Sequence, residues 1–256
     1  MAKSKSPMRI FEGSAKPYEP FWRVRDAADS ESGDPEMEFY GFISEYSWWE
    51  DDVTPKKFKD DLNKLGSGGP ITIRMNSGGG DVIAASVIRS ILVDYPGKVT
   101  VRIDGLCASA ATFVAMAGDL VRMQDTAFFM IHDPSAMAWG TVEDLKAVID
   151  LLKTVKNGIV DAYQVKTQLG MDKLAKMMSD ETWMSANEAR TLGFIDEVIT
   201  DKKSTAPIQN VAILNYVNVP AALLANEEPT VQSAEISAEV KHLQAEVKIL
   251  KRGATK

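Results

Sequence analysis

The sequence is short of cysteine, of net positive charge and of long apolar runs, and each shortage excludes a class of protein. Its single cysteine, Cys107, excludes an internal disulfide and a cysteine-based zinc cluster. The formal net charge of -7 leaves no basic face for a nucleic-acid backbone, so no nucleic-acid partner is expected. No apolar run reaches the roughly 20 residues of a membrane span, and the N-terminus lacks a signal-peptide core. We therefore expect a cytoplasmic protein that uses no membrane.

What the sequence does have is enough apolar material for one large domain. Its 256 residues, 45% of them hydrophobic, can bury a sizeable core. Residues 1–35 are polar and rich in turn residues, which predicts an irregular N-terminal arm. The predicted main domain spans 36–200, and a linker follows over 201–230.

Residues 231–252 are predicted to form an amphipathic tail helix. Its apolar residues alternate between spacings of four and three, as in a coiled coil: Ile236, Val240, Leu243, Val247 and Leu250. A repeat this short fits a helix that seeks a partner, and it also fits a solvated amphipathic tail.

Strands and helices alternate along the main domain. Runs of β-branched and aromatic residues at 38–44, 71–75 and 99–104 predict strands. Between them, amphipathic patterns with helix start and stop signals at 54–66 and 82–93 predict helices. This alternation is typical of right-handed parallel β-α-β units, so the predicted fold class is α/β.

The second half of the main domain contains the longest predicted helix. A strand over 121–131 runs directly into His132, and T-V-E-D at 141–144 resembles a capping box for a helix that continues to Gly170. At 1.5 Å per residue this helix would be roughly 40 Å long, which exceeds a compact domain and suggests a subunit contact. A second capping box, S-A-N-E at 185–188, opens a short helix, and F-I-D-E-V-I is the last predicted strand.

His132 is the histidine best placed to act as a catalytic base. Of the 2 histidines, His242 lies in the tail, whereas His132 ends an apolar strand, where ligands and reactive groups collect in α/β sheets. A neutral imidazole there can accept a serine proton near pH 7. A histidine that only packs in the core or in a loop is the alternative.

Ser109 is the candidate nucleophile. The stretch D-G-L-C-A-S-A-A places it after a strand and a glycine turn, at the start of a helix, where free N–H groups face a developing negative charge. The alternative is a helix N-cap among small packing residues. Cys107 is the rival nucleophile, and we expect it to be a buried packing residue.

The glycine-rich loop M-N-S-G-G-G-D at 75–81 also follows a strand. Its glycines allow several N–H groups to converge on one point, as in an anion-binding nest. A dinucleotide loop is excluded, since Ile83 stands where the third glycine is required and Asp81 would repel a phosphate. The loop suits a peptide carbonyl, and no cofactor and no metal are expected.

In combination, four motifs resemble a known family. In chain order they are M-N-S-G-G-G-D, D-G-L-C-A-S-A-A, F-F-M-I-H-D-P and E-T-W-M-S-A-N-E-A-R-T-L-G-F-I-D. Over residues 38–200 this set is similar to the proteolytic subunit (ClpP) of the Clp protease family, and most similar to the versions that phages encode as head-maturation proteases. The resemblance implies a serine peptidase with the ClpP/crotonase-like α/β fold, in which the long helix is a handle between stacked rings.

The resemblance assigns roles to four residues of the site. The family's nucleophile falls on Ser109 and its base on His132. The two oxyanion-hole donors fall on the N–H groups of Gly79 and Ala110. Gly78 stands where the family has proline, which loosens the loop that carries the first donor.

The resemblance also points to an acid that would orient His132. Aligned without gaps from W-M-S-A, the family's aspartate falls on Glu181, and Asp180 directly before it is the second candidate. A glutamate can orient a histidine as an aspartate does, but with a different reach. Asp133, adjacent to the base, is expected to point away from it.

The implied function is that of a self-assembling serine endopeptidase that acts on polypeptides through an acyl-enzyme. The resemblance implies a homo-oligomer, a ring of seven subunits in one layer or two. Processing of capsid or scaffold proteins in the host cytoplasm is the expected role, and work with an ATPase chaperone is the second. Two other readings stay open: a crotonase relative that binds acyl-CoA, and a ring or scaffold protein without activity.

Overall fold

The computed structural model describes residues 22–30, 33–43, 55–200, 216–220 and 223. Within these residues, strands of one mixed sheet are β1 (Trp22–Arg25), β2 (Glu36–Ile43), β3 (Ile71–Gly80), β4 (Val99–Ala108), β5 (Leu120–Gln124), β6 (Phe128–Ile131), β7 (Thr182–Ser185) and β8 (Glu197–Ile199). The α-helices are α1 (Pro55–Gly66), α2 (Val82–Val93), α3 (Ala110–Ala115), α4 (Val142–Thr167), α5 (Met171–Ser179) and α6 (Ala186–Thr191). A short 3-10 helix, Ala27–Asp29, follows β1.

The sheet is mostly parallel, as the alternation of strands and helices predicted. Its main path runs β1-β2-β3-β4-β5-β8, and only β1 is antiparallel to its neighbour on this path. The helices α1, α2 and α3 follow β2, β3 and β4 in the chain. The predicted α/β class is therefore confirmed, with β-α-β units as its repeated element.

Strand β4 divides its pairing between two neighbours, and this division positions the site. Its first part pairs with β5, from Thr100 to Ile103, and its last part, Leu106 to Ala108, pairs with β6. β6 is in turn antiparallel to β7. As a result, the carboxyl ends of β4 and β6 lie side by side, which is where reactive groups collect in sheets of this kind.

The two faces of the central strands differ in chemistry because side chains alternate along a strand. One row of cross-strand partners is apolar and buried: Met37, Ile73, Val101 and Val121. The adjacent row is charged: Glu38, Arg74, Arg102 and Arg122.

A buried ion network holds the charged face of the sheet together. Asp104 accepts two hydrogen bonds from the Arg74 guanidinium, at 2.8 and 3.0 Å, and one from Arg102 at 3.1 Å. The Tyr40 hydroxyl donates to the same carboxylate at 2.8 Å. Removing one member of such a buried network leaves the others as uncompensated charges.

The long helix predicted at 141–170 is α4, a helix of 26 residues, about 39 Å long at 1.5 Å per residue. The predicted capping box forms, with Thr141 and Asp144 bonding each other's backbone N–H groups. Its apolar side chains Ile149 and Leu151 are 51% and 59% exposed. The subunit contact expected at this helix stays a prediction.

The structure differs from the sequence-based expectations at several elements. The single strand expected over 121–131 is two strands, β5 and β6, because the chain turns at Asp125 and Thr126. Helix α5 and strand β7 were not expected. The loop expected at 75–81 is instead the end of β3, which pairs with β2 as far as Gly80, and the turn expected at Gly105 lies within β4. In the arm that was expected to be irregular, β1 pairs antiparallel with β2, and Trp22 packs edge-on against Phe58 of α1.

The chain divides into two compact units, Met1–Asn218 and Val219–Lys256. The described part of the first unit contains all of the elements named above. The described residues of the second unit are Val219, Pro220 and Leu223, so the predicted tail helix 231–252 lies outside the described residues. Among the described helices, none combines the length and the apolar character that crossing a bilayer requires.

Candidate active site

Ser109 and His132 meet at the carboxyl ends of β4 and β6. The Ser109 Oγ atom lies 2.7 Å from His132 Nε2, a hydrogen-bond distance. The backbone fixes this approach, because Ala108 pairs with Met130 and the Ser109 N–H donates to the Met130 carbonyl at 2.9 Å. The two residues predicted as nucleophile and base are thus brought together by the pairing of their strands.

The backbone of Ser109 has an unusual conformation. Its φ of 56° and ψ of -128° lie in a region that a residue with a side chain rarely adopts. Ser109 is the N-cap residue of α3, but its side chain makes no capping hydrogen bond. The alternative role of a helix cap therefore does not describe this hydroxyl, which points to His132 instead.

Gly79 and Ala110, the predicted oxyanion-hole residues, flank Ser109. A Cβ atom on Gly79 would lie 2.7 Å from Ser109 Cβ and 2.9 Å from Ala110 N, so only glycine allows the end of β3 to pass this closely. Ala110 begins α3, and the first N–H groups of a helix have no acceptor within it. The Gly79 N–H donates to Ser77 Oγ at 3.1 Å in this structure.

Three carboxylates near His132 have different surroundings, and Glu181 is the one whose charge acts on the imidazole most strongly. Asp180 forms a surface ion pair with Lys176 at 2.6 Å. Asp133 points to Lys156, at 2.7 Å, as expected of a side chain directed away from the base. The choice of Glu181 over Asp180 as the acid stays a prediction.

The Glu181 carboxylate is nevertheless held by other partners. It accepts hydrogen bonds from Trp183 Nε1 at 3.2 Å, from Val217 N at 2.9 Å and from Asn218 N at 2.7 Å. Among the described residues, no hydrogen bond joins Glu181 to His132. The backbone of Glu181 is left-handed, with a φ of 49°, at the turn between α5 and β7.

The surroundings in the site lower the pKa values of both His132 and Glu181. Burial lowers the pKa of His132, although the carboxylates of Glu181 and Asp133 work in the opposite direction. Burial alone would raise the pKa of Glu181, but the N–H groups of Val217 and Asn218 outweigh it and lower that pKa. At neutral pH the site therefore contains a neutral imidazole and a carboxylate, as a serine–histidine–acid mechanism requires.

A pocket of about 300 Å³ opens beside the serine and the histidine. Its polar part contains Ser109 and His132, and its apolar part is formed by Phe42, Val82, Phe113 and Ile159. The size and lining suit an apolar side chain next to a scissile bond.

Tyr216 is the site residue that sequence reasoning missed. It lies in the segment expected to be a linker, yet its ring contacts those of His132 and Trp183 edge-on, with centroids 5.2 and 5.7 Å apart. Its hydroxyl donates to the Gly78 carbonyl. The stretch N-Y-V-N at 215–218 has no local pattern that predicts such a contact.

Cys107, the rival nucleophile, is part of the core. Its side chain is fully buried, and burial raises the pKa of the thiol well above its ordinary value. A thiol that stays protonated and inaccessible is not a nucleophile. Within the described ranges, no cluster of three or more histidine, cysteine or acidic side chains could hold a metal ion.

Comparison with known proteins points to one family. The family described as Clp protease matches residues 61–202. The proteolytic subunit 2 of an ATP-dependent Clp protease from Thermobifida fusca is 31% identical over 133 residues, which cover 51% of this chain and 66% of that protein. Proteolytic subunit 1 from Chlamydia abortus is 31% identical over 158 residues, covering 57% of this chain and 82% of that protein.

A solved structure shares the fold. A ClpP1 mutant from Listeria monocytogenes superimposes with a TM-score of 0.57 at 22% sequence identity, and the match covers 66% of this chain and 93% of that one.

Proposed function

Because the chain belongs to the Clp protease family, a family of serine-type peptidases, we propose that it is an endopeptidase whose Ser109 attacks the carbonyl carbon of a peptide bond. The observation that carries the proposal is the 2.7 Å contact between Ser109 Oγ and His132 Nε2. A serine hydroxyl is a weak nucleophile until an adjacent base takes its proton, and this contact supports that transfer.

In the acylation step, a bond forms between Ser109 Oγ and the carbonyl carbon while His132 Nε2 takes the hydroxyl proton. The carbonyl electrons move onto oxygen, and the tetrahedral oxyanion collapses with cleavage of the C–N bond. The imidazolium gives its proton to the departing amine, and the other fragment stays on Ser109 as an ester.

In the deacylation step, His132 takes a proton from water as the water oxygen attacks the ester carbon. The second tetrahedral intermediate collapses and breaks the bond to Ser109 Oγ, which regains a proton from the imidazolium. The fragment leaves with a new carboxylate, and the enzyme returns to its starting protonation state.

The N–H groups of Gly79 and Ala110 would stabilise the oxyanion in both steps. Their position on either side of Ser109 supports this role. Gly79 must then transfer its hydrogen bond from the Ser77 hydroxyl to the oxyanion. This exchange is favourable because an ionised acceptor forms the stronger hydrogen bond.

Glu181 would act as a positioning residue for the base. It would hold the proton-bearing Nδ1 atom of His132 toward itself and stabilise the imidazolium. Of the nearby carboxylates, Glu181 is the one whose charge raises the pKa of His132 most, and this supports the assignment over Asp180. Glu181 must first leave its present partners on the backbone of Val217 and Asn218.

The biological setting we propose is phage head maturation, with capsid or scaffold polypeptides as substrates, in the host cytoplasm. The sequences of the four motifs support this setting, because they are most similar to the versions that phages encode. The proposed assembly is a homo-oligomeric ring, of seven subunits, that uses α4 as a contact; the exposed Ile149 and Leu151 support this use. Work with an ATPase chaperone is the alternative setting, which the relatives' description as ATP-dependent supports.

Proteolysis of fluorescein-labelled casein tests the proposed activity. The purified wild-type chain should release fluorescent peptides, and Ser109→Ala should abolish the release. Ser90→Ala on the exposed face of α2 is a matched control and should cleave at the wild-type rate. Intact assembly without cleavage by the wild type would contradict the proposal and favour a scaffold protein.

A further inference from the structure

The segment Tyr216–Asn218, here called the strap, crosses the catalytic centre. Tyr216 faces inward and lines the same pocket as Ser109 and His132. The next side chain, Val217, is 86% exposed, so the strap places one aromatic ring in the site and turns the following side chain to solvent.

The Tyr216 hydroxyl lies beside the proposed oxyanion hole. It donates to the Gly78 carbonyl, directly before the proposed oxyanion donor Gly79. Burial raises the pKa of Tyr216, so the phenol stays protonated and can donate this hydrogen bond. The Tyr216 ring lies edge-on to the His132 ring, with centroids 5.2 Å apart, and so takes up part of the space that a substrate needs beside the base.

The strap also engages the proposed acid. The N–H groups of Val217 and Asn218 both donate to the Glu181 carboxylate, and the Asn218 side chain donates to the Asp180 carbonyl at 3.0 Å. Two backbone donors and Trp183 hold the carboxylate, and none of its hydrogen bonds reaches His132. Among the described residues, Glu181 therefore does not orient the base by a hydrogen bond while the strap is in place.

We propose that the strap is an autoinhibitory segment that occupies the substrate cleft in the manner of a bound peptide. This proposal rests on the proposed peptidase function and concerns the regulation of that site. Departure of the strap would have two effects at once. It would clear the space in front of Ser109, and it would remove two of the donors that hold Glu181, so that this carboxylate can turn to His132.

The opposite role is that of a brace. A brace would hold Glu181 and His132 in a working arrangement, and its loss would slow the reaction. The position of the Tyr216 ring argues against a brace, because this ring lines the pocket beside Ser109 and His132 that a substrate has to enter. The two roles predict opposite changes of rate.

The test compares the rate at which a fluorophosphonate probe labels Ser109 in the full chain. Tyr216→Ala removes the ring, and Tyr216→Phe keeps the ring but removes the hydroxyl. Tyr95→Phe is the matched control, since it removes another tyrosine hydroxyl that donates to a glycine carbonyl, that of Gly69 at 2.9 Å, outside the pocket. Thermal melting of each variant shows whether it is folded.

If the strap is autoinhibitory, Tyr216→Ala should raise the labelling rate about 10-fold or more. Tyr216→Phe should raise it about 3-fold, in line with the loss of one hydrogen bond. Tyr95→Phe should label at the wild-type rate. A rate for folded Tyr216→Ala that equals or falls below wild type would overturn the proposal. If Tyr216→Ala does not fold, the rate of Tyr216→Phe decides in the same way.

A binding measurement separates failure of the strap from failure of the peptidase function. Fluorescein-labelled casein is titrated against Ser109→Ala and against the double variant Ser109→Ala/Tyr216→Ala, neither of which can form an acyl-enzyme. The strap predicts about 10-fold tighter binding by the double variant, even if wild-type Ser109 proves unreactive. Equal or weaker binding by the double variant would overturn the strap, whatever the labelling shows.

Discussion

The substitution Gly79→Ala addresses the geometry around Ser109 most sharply. The added methyl group would lie 2.7 Å from both the Ala108 carbonyl oxygen and Ser109 Cβ. Ordinary contact begins at 3.4 Å, so the end of β3 must retreat by about 0.7 Å, and all of the atoms that the methyl group meets belong to the chain around the nucleophile. The φ of +95° adds strain of about 1–3 kcal/mol for any residue other than glycine.

This retreat moves the Gly79 N–H away from the place where the oxyanion forms. Loss of one oxyanion donor costs roughly 100-fold to 1,000-fold in kcat, and a misplacement of about 1 Å costs roughly 100-fold. We therefore expect kcat for a fluorogenic peptide to fall about 100-fold in Gly79→Ala. KM should change much less, because the lost interaction is made in the transition state.

The assay is steady-state hydrolysis together with thermal melting, so that a loss of rate can be separated from a loss of fold. Gly158→Ala is the matched control, since a Cβ atom there meets nothing within 4 Å and the residue lies inside α4. Its kcat should stay within about twofold of wild type. A folded Gly79→Ala enzyme with wild-type kcat would refute the assignment of this N–H to the oxyanion hole.

Three further predictions follow from charge. Because the neutral imidazole is the base and burial holds the pKa of His132 below 6.5, kcat/KM should fall as pH drops through a midpoint below 6.5, and Glu181→Gln should move that midpoint lower by removing a charge that favours the imidazolium. An acid limb above pH 6.5 would contradict this. Glu181→Gln should also lower kcat about 100-fold or more, whereas the matched Asp180→Asn should stay within about twofold; equal losses would contradict the choice of acid. In urea unfolding, Asp104→Asn should cost about 3–5 kcal/mol, because two buried guanidinium groups lose the charge of the carboxylate that they share, whereas Asp150→Asn in an exposed pair should cost about 0–1 kcal/mol, and similar losses would contradict the buried network.

Local patterns were sufficient for much of the fold. The strand and helix signals around Ser109 lie within a few residues of one another, and α3 begins where it was expected, directly after Ser109. β4 begins where it was expected but continues through Gly105, where a turn was predicted, to Ala108. The capping box at Ser185 also formed as predicted. The prediction of one strand over 121–131 was wrong, because the apolar residues on both sides of the turn at Asp125 and Thr126 form one continuous pattern.

Contacts between distant parts of the chain were beyond local patterns. The sequence could identify Ser109 and His132, but their distance depends on how β4 divides its pairing between β5 and β6. The partners of Glu181 come from the strap, and nothing in the pattern of 201–230 distinguishes Tyr216 from a solvated linker residue. Such contacts depend on tertiary packing, which propensity and periodicity do not encode.

Mapping the fluorophosphonate adduct on the full-length protein tests the central claim most directly. We predict that mass spectrometry of the digested protein will find a single modified serine, Ser109. His132→Ala should remove most of this labelling and Ser109→Ala all of it, because the hydroxyl needs its base. A modified serine elsewhere, or Ser109 labelling that persists undiminished in His132→Ala, would contradict the pairing of these two residues as nucleophile and base.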